Sequence, residues 1–220
     1  MTNKGLKDFR NAIHKNLKIE PQNSRSSCFI ISENEPKSTI KQIQFTFTHQ
    51  DNILILKQDK TKEFGLNYTI ENLFENQENI PNTNTCCDFI AFLIFNNELK
   101  IYCCEIKSSY CEKHINKAIN QIESSRLFVS YLLDYYFYIG KLKCKLKSNI
   151  EKSESELRAI IDEFKDKIKE TRINRLYIYP KINSSNKTHT YYKEIKYKSV
   201  DIDIQGCAKI TNGYEFFKNL

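Results

Sequence analysis

At 220 residues the chain has room for one domain with a substantial core and some decoration. Its 34 Lys and Arg against 27 Asp and Glu leave a formal charge of +7, which suits a polyanionic partner without requiring one. Only five glycines are present and none forms a phosphate-cradling loop or dinucleotide fingerprint, which sets aside ATP- and NAD-driven chemistry. Four scattered histidines (His14, His49, His114, His189) and the lack of a Gly-x-Ser-x-Gly elbow set aside the common serine-hydrolase arrangement. No window reaches the roughly 18 uninterrupted apolar residues of a membrane helix, and the opening Met1-Thr2-Asn3-Lys4-Gly5 lacks the apolar core of a signal peptide, so a cytoplasmic location without a membrane partner is expected.

In chain order, Leu6, Phe9, Ile13 and Leu17 recur at three- and four-residue spacing and predict an amphipathic helix over about 5–18. Strands are predicted from Cys28 to Ile31, Ile40 to Thr48 and Ile53 to Lys57, with His49-Gln50-Asp51-Asn52 as a hairpin turn between the last two. Residues 67–80 fit a short helix bearing Glu71, Glu75 and Glu78, and Pro81 to Asn84 reads as a loop. The run Cys86 to Phe95 reads as a buried strand, Asn96-Asn97 as a two-residue turn, and Glu98 to Lys107 as the returning strand. A long helix follows with Ile115, Ala118, Ile119, Ile122, Val129, Leu132 and Leu133 as its apolar stripe, interrupted at Ser125-Arg126. A strand is predicted from Tyr136 to Ser148, one face of it made of Lys141, Lys143, Lys145 and Lys147. Ser153 to Glu156 cap a helix over about 154–170, Arg175 to Tyr179 is a strand ended by Pro180, 183–188 is a loop, and an alternating tail runs from Tyr191 to Ile204.

Eight cysteines without an export signal are expected to be buried free thiols. Adjacent pairs such as Cys86-Cys87 and Cys103-Cys104 point to opposite faces of their strands, so these thiols, even with Cys111 and His114 nearby, do not converge on a tetrahedral metal.

The chemistry concentrates in the central hairpin. If Phe95 pairs with Glu98, counting outward one residue at a time places Asp88 opposite Glu105, with Lys107 on the same face. Charged groups amid Cys, Phe, Ile and Leu are costly unless paired or metal-bound, and two carboxylates about 5 Å apart at Cβ repel unless a cation lies between them.

The Asp88…Glu105-Ile106-Lys107 pattern resembles the PD-(D/E)XK nuclease superfamily, which includes restriction endonucleases, Holliday-junction resolvases and RecB-like nucleases. The literal Pro-Asp dipeptide is absent, since Cys87 precedes Asp88 and Pro81 lies seven residues upstream. The resemblance covers about 64–133 and implies an α/β fold with a central mixed sheet flanked by helices, a restriction endonuclease-like core in one nuclease-like domain. It further implies that Asp88, Glu105 and the Ile106 carbonyl ligate Mg²⁺ or Mn²⁺, that Lys107 is the catalytic lysine, and that Glu71 or Glu75 supplies an upstream acid. Gln121, fourteen residues after Lys107, is the candidate for the helical residue that meets the active site or the phosphate backbone.

Lys117, Lys143 and Lys145 are further candidates for backbone contacts to DNA, and the Tyr and Lys of 191–198 for base stacking. The expected function is metal-dependent cleavage of DNA in restriction, repair or antiphage defence. The alternative is a nucleic-acid-binding or scaffold subunit that keeps the fold without cutting. A second copy of the chain or another protein in a larger complex are the other partners considered.

Overall fold

The computed structural model of the chain describes residues 3–22, 27–33, 35–49, 52–58, 86–147, 173–181 and 192–218, with side chains only to residue 137 in the long helix. In chain order the elements are α1 (Asn3–Ala12), a 3₁₀ turn (Lys15–Leu17), β1 (Lys18–Ile19), β2 (Cys28–Ser32), β3 (Gln42–Thr46), β4 (Ile53–Leu56), β5 (Phe89–Phe95), β6 (Glu98–Ile106), α2 (Glu112–Lys147), β7 (Ile173–Pro180), β8 (Ile195–Val200), β9 (Cys207–Ile210) and α3 (Gly213–Lys218).

The fold is α/β. A six-stranded mixed sheet runs β1-β4-β5-β6-β7-β8, and a three-stranded sheet runs β2-β3-β9. The β1–β4, β4–β5 and β5–β6 pairs are antiparallel, whereas β7 and β8 run parallel to β6. The parallel step from β6 to β7 needs a crossover, and α2 begins it.

Side-chain alternation sorts the core into two layers. On one face Phe89, Ala91 and Leu93 of β5 with Tyr102, Cys104 and Ile106 of β6 pack against Phe29, Ile31, Ile43 and Phe45 of the small sheet and Phe217 of α3. On the other face Ile90, Phe92 and Ile94 with Ile101 and Cys103 pack against Leu6 and Phe9 of α1 and Ile122, Val129 and Leu133 of α2. Both faces are covered, which is why Phe89 to Ile94 is an unbroken buried apolar run. Each such side chain contributes about 1.5–3 kcal/mol by leaving water.

The hairpin register is the one read from the sequence: Phe95 pairs with Glu98, and the ladder continues one for one to Phe89 with Cys104. Asn96 and Asn97 both have positive φ, 48° and 66°, the backbone of a two-residue turn whose twist matches its strands. The described cysteines are all free thiols, with Cys28, Cys87, Cys103 and Cys104 buried.

Several expectations are corrected. Helix α1 ends at Ala12, and Leu17 is buried from the 3₁₀ turn instead. β3 and β4 form no hairpin: β3 pairs with β2 and β9, while β4 pairs with β1 and β5, so the chain changes sheets between them. The strand predicted from Tyr136 is helix as far as Lys147. Lys141, Lys143, Lys145 and Lys147 therefore belong to a helix and not to a strand edge. Ser125 does not interrupt the buried stripe of α2 but lies within it, fully buried. Strand β9 and helix α3 had no counterpart in the sequence reading. The predicted helices at 67–80 and 154–170, and the loops at 81–84 and 183–188, lie outside the described residues.

Candidate metal-dependent active site

Glu105 is the penultimate residue of β6 and Lys107 follows the strand, its N–H extending the parallel ladder to the Ile178 carbonyl at 2.9 Å. Glu105 shares the helix-side face with Ile101 and Cys103 and is fully buried. Its Oε1 is ion-paired with the largely buried Lys107 ammonium, while Oε2 has no hydrogen-bond partner among the described residues. Asp88 sits one residue outside β5, where the ladder has ended, and its Oδ2 accepts the Ile106 N–H at 2.6 Å.

A third acid joins them that the sequence reading missed. Glu33 follows β2, its N–H donating to the Lys41 carbonyl at 2.9 Å, and its half-exposed carboxyl, which accepts the Glu35 N–H at 2.9 Å, is close enough to push the Asp88 carboxyl up. Contact between the layers brings it there, because the loop between β2 and β3 is tied to the residue after Lys107: the Thr39 N–H donates to Ser108 Oγ at 2.9 Å. Beyond Ser108 the chain is held by Tyr177, which stands beside Glu105 on β7 and donates its hydroxyl to the Ser109 carbonyl at 2.6 Å. No local pattern marks Glu33. The only hint is an acid directly after a short apolar strand.

Burial pushes the Asp88 carboxyl up to about 7; Lys107 and the Ile106 N–H pull it down, and Glu33 pushes it further up. Burial also drives Glu105 well above the usual carboxylate range, reinforced by Asp88 and opposed by Lys107. Burial alone lowers the Lys107 ammonium, but Glu105, Asp88 and Glu33 outweigh it, and the net shift is upward. Among the described residues one ammonium, that of Lys107, acts on all three carboxyls.

The donor set is all oxygen, as a hard cation requires, and the unpartnered Glu105 Oε2 is an orphaned buried acceptor. Those residues fit such a cation, though among the described residues no three His, Cys, Asp or Glu groups stand ready to hold one. Asp88 is turned to the Ile106 N–H and Glu105 to Lys107. The bond seen at Ile106 involves its N–H, and its predicted role was for the carbonyl.

Comparison of the chain with known protein families, with curated proteins and with solved structures returns no match. The hairpin geometry and the acid cluster therefore carry the functional argument by themselves.

Of the other predicted residues, Gln121 faces inward, its Nε2 donating to the Cys86 carbonyl at 3.2 Å. It meets the segment that leads into Asp88. Lys117 is exposed on α2, and the main charges acting on Asp88 and Glu105 are those of Lys107, Glu33 and, on Glu105, Asp88. Lys143 and Lys145 lie toward the far end of α2, about 39 Å along the helix from Lys117 at 1.5 Å per residue. Glu71 and Glu75 lie outside the described residues. Tyr197 of β8 is half-buried, its ring against Tyr110 and Tyr177 at 5.1 and 5.7 Å, whereas Tyr192 is exposed and bonds Asn116. No helix among the described residues is long and apolar enough to cross a membrane.

Proposed function

We propose that the protein is a metal-dependent nuclease of the PD-(D/E)XK kind, with a restriction endonuclease-like core, that hydrolyses DNA phosphodiester bonds. The observation that carries this reading is the fully buried Glu105, ion-paired with Lys107 through one oxygen and unpartnered at the other among the described residues, with Asp88 bonded to the Ile106 N–H and Glu33 close enough to act on both acids. Burying carboxylates in excess of their counter-charge costs stability, and a site for a divalent cation accounts for that cost. Supporting it are Glu105 on β6, Asp88 one residue before the antiparallel β5, and the helix that follows the Glu105-Ile106-Lys107 segment.

Asp88 and Glu105 would hold Mg²⁺ or Mn²⁺, with Glu33 the third acid beside them. Such an ion supplies charge neutralisation at the phosphate and a more acidic bound water. Lys107 keeps its proton, because the surrounding carboxyls raise its affinity for it. It acts as a fixed positive charge toward the phosphate and the attacking water, and not as the base. Buried Tyr177, paired beside Glu105, and buried Cys103 on the same face as Glu105 lower the local dielectric and strengthen these interactions. A net charge of +7 favours a polyanionic substrate.

The test is incubation of the purified protein with linear, circular and single-stranded DNA in Mg²⁺, in Mn²⁺ and in chelator. Metal-dependent cleavage by the wild type and its loss in Asp88→Asn support the reading. Equal cleavage by that variant sinks it. One observation favours a subunit that keeps the fold without cutting: the acids already have partners within the chain. Calorimetric titration with Mn²⁺ separates the two, since a subunit of that kind takes up no ion in an Asp88-dependent manner.

A further inference from the structure

Buried within the apolar stripe of α2 is Ser125, 0% exposed, where an alanine would pack and favour the helix better. Burying a hydroxyl is costly unless it is bonded, and this one is bonded twice. It accepts the Cys87 N–H at 2.9 Å and donates to Gln58 Oε1 at 2.7 Å, residues 38 and 67 positions away in the chain. Gln58, itself buried, accepts the Cys86 thiol on its backbone carbonyl at 2.9 Å, and Gln121 Nε2 donates to the Cys86 carbonyl at 3.2 Å. Three bonds thus converge on Cys86 and Cys87, the two residues before Asp88. They act where the hairpin stops acting, because the ladder to β6 ends at Phe89 with Cys104.

We propose that Ser125 and Gln58, assisted by Gln121, are positioning residues for Asp88: they fix the Cys86-Cys87 backbone so that the Asp88 carboxylate meets the Ile106 N–H and faces Glu105. The consequence for cation binding rests on the nuclease reading above, whereas the positioning itself does not. The network joins α2, the segment after β4 and the approach to β5. It therefore sets one acid of the pair from the helix layer while β6 sets the other.

The test reads the Asp88–Ile106 bond directly. In the ¹⁵N-labelled full chain with chelator present, the Ile106 amide proton is expected downfield and slow to exchange, as befits a buried donor to a half-buried carboxylate. Ser125→Ala should move it upfield and speed its exchange at least about tenfold, while the amides of Ile101 to Cys103 in the same strand keep theirs. Ile43→Val, a methyl deletion on the opposite face of the sheet, controls for general loosening and should leave Ile106 unchanged. Should Ser125→Ala not fold, Gln58→Met removes the side-chain acceptor at similar volume and should give a smaller shift of the same sign.

An Ile106 amide that behaves alike in Ser125→Ala and Ile43→Val overturns the proposal. In a second arm Mn²⁺ is titrated into folded wild type and Ser125→Ala well below their melting temperatures. At least tenfold weaker binding by the variant is expected, and equal binding by both counts against the positioning role. A wild type that neither binds Mn²⁺ nor cuts DNA removes the nuclease reading, and the amide comparison then decides the positioning alone.

Discussion

The Asp88 carboxylate accepts the N–H of Ile106 at 2.6 Å, just past the last paired residues of the central hairpin. One acid thereby takes over a backbone donor at the frayed end of the ladder, while its neighbour Glu105 is buried against Lys107. The two carboxylates are held by different means, and their variants should differ accordingly.

Asp88→Asn keeps the side-chain shape and an oxygen for Ile106, so the fold should survive while divalent-dependent cleavage is lost. Lys107→Ala should slow cleavage by about 10²–10³, the usual scale for removing one preorganised electrostatic contact. It also leaves Glu105 buried without its counter-ion, at a cost of about 3–5 kcal/mol. Cleavage rates together with urea melts check both effects. A Lys107→Ala enzyme of wild-type stability and activity would contradict the assignment.

Without metal, stability should fall as pH rises. Asp88 has its pKa raised from 3.8 to about 7, so between those values the folded state binds more protons than the unfolded chain. Unfolding free energy therefore decreases with pH across that window, by up to a few kcal/mol. Urea midpoints in chelator at pH 5 and pH 8 should show it, and Asp88→Asn should flatten the difference. Addition of Mg²⁺ should restore stability at pH 8, since a ligand that binds only the folded state stabilises it.

Glu33→Gln should have opposite effects on two measurements. Removing a like charge from beside Asp88 raises metal-free stability at pH 8, because less repulsion remains to be buried. The same change lowers the charge available to a divalent ion and should weaken Mn²⁺ binding about tenfold, or 1.4 kcal/mol. Melting curves in chelator and calorimetry in Mn²⁺ give the two signs. A variant that loses both stability and affinity would mark Glu33 as a structural residue only.

Gly213 opens α3 against the ring of Phe47: a Cβ there would lie 2.3 Å from its nearest ring atom. Phe47 cannot easily yield, because Phe29, Phe45, Tyr214 and Phe217 surround it. Gly213→Ala is expected to cost about 1–3 kcal/mol with cleavage in Mg²⁺ retained, measured by denaturant midpoint and nuclease assay.

If DNA approaches over the start of α2, Lys117→Gln should reduce the slope of log affinity against log salt by about 0.9, the contribution of one phosphate contact. Lys143 and Lys145, far along the same helix, should not act in concert with it. A double Gln variant at 143 and 145 that lowers the slope by two units would put them on the DNA path after all.

The central hairpin was legible residue by residue because its determinants are local: alternation at period two, a turn of two residues that tolerate positive φ, and acids whose burial needs a reason. The same locality misled elsewhere. His49 to Asn52 reads as a turn, yet whether β3 pairs with β4 depends on partners distant in sequence, and β9 takes that side of β3. The alternating lysines after Tyr136 fit a strand by period, but Lys and Leu are also strong helix formers, and a helix already docked through Ile115 to Leu133 continues at little cost. Ser125 reads as a break in an apolar stripe until Cys87 and Gln58 are seen against it. Glu33 drew no reading from the sequence, because its approach to Asp88 comes from the small sheet packing on the large one. Periodicity and turn chemistry thus decided the central hairpin and its register from Phe95–Glu98 to Phe89–Cys104 from the sequence alone. The third acid and the buried polar anchor were decided only by contacts between layers, because nothing in the residues adjacent to Glu33 or Ser125 encodes what packs against them.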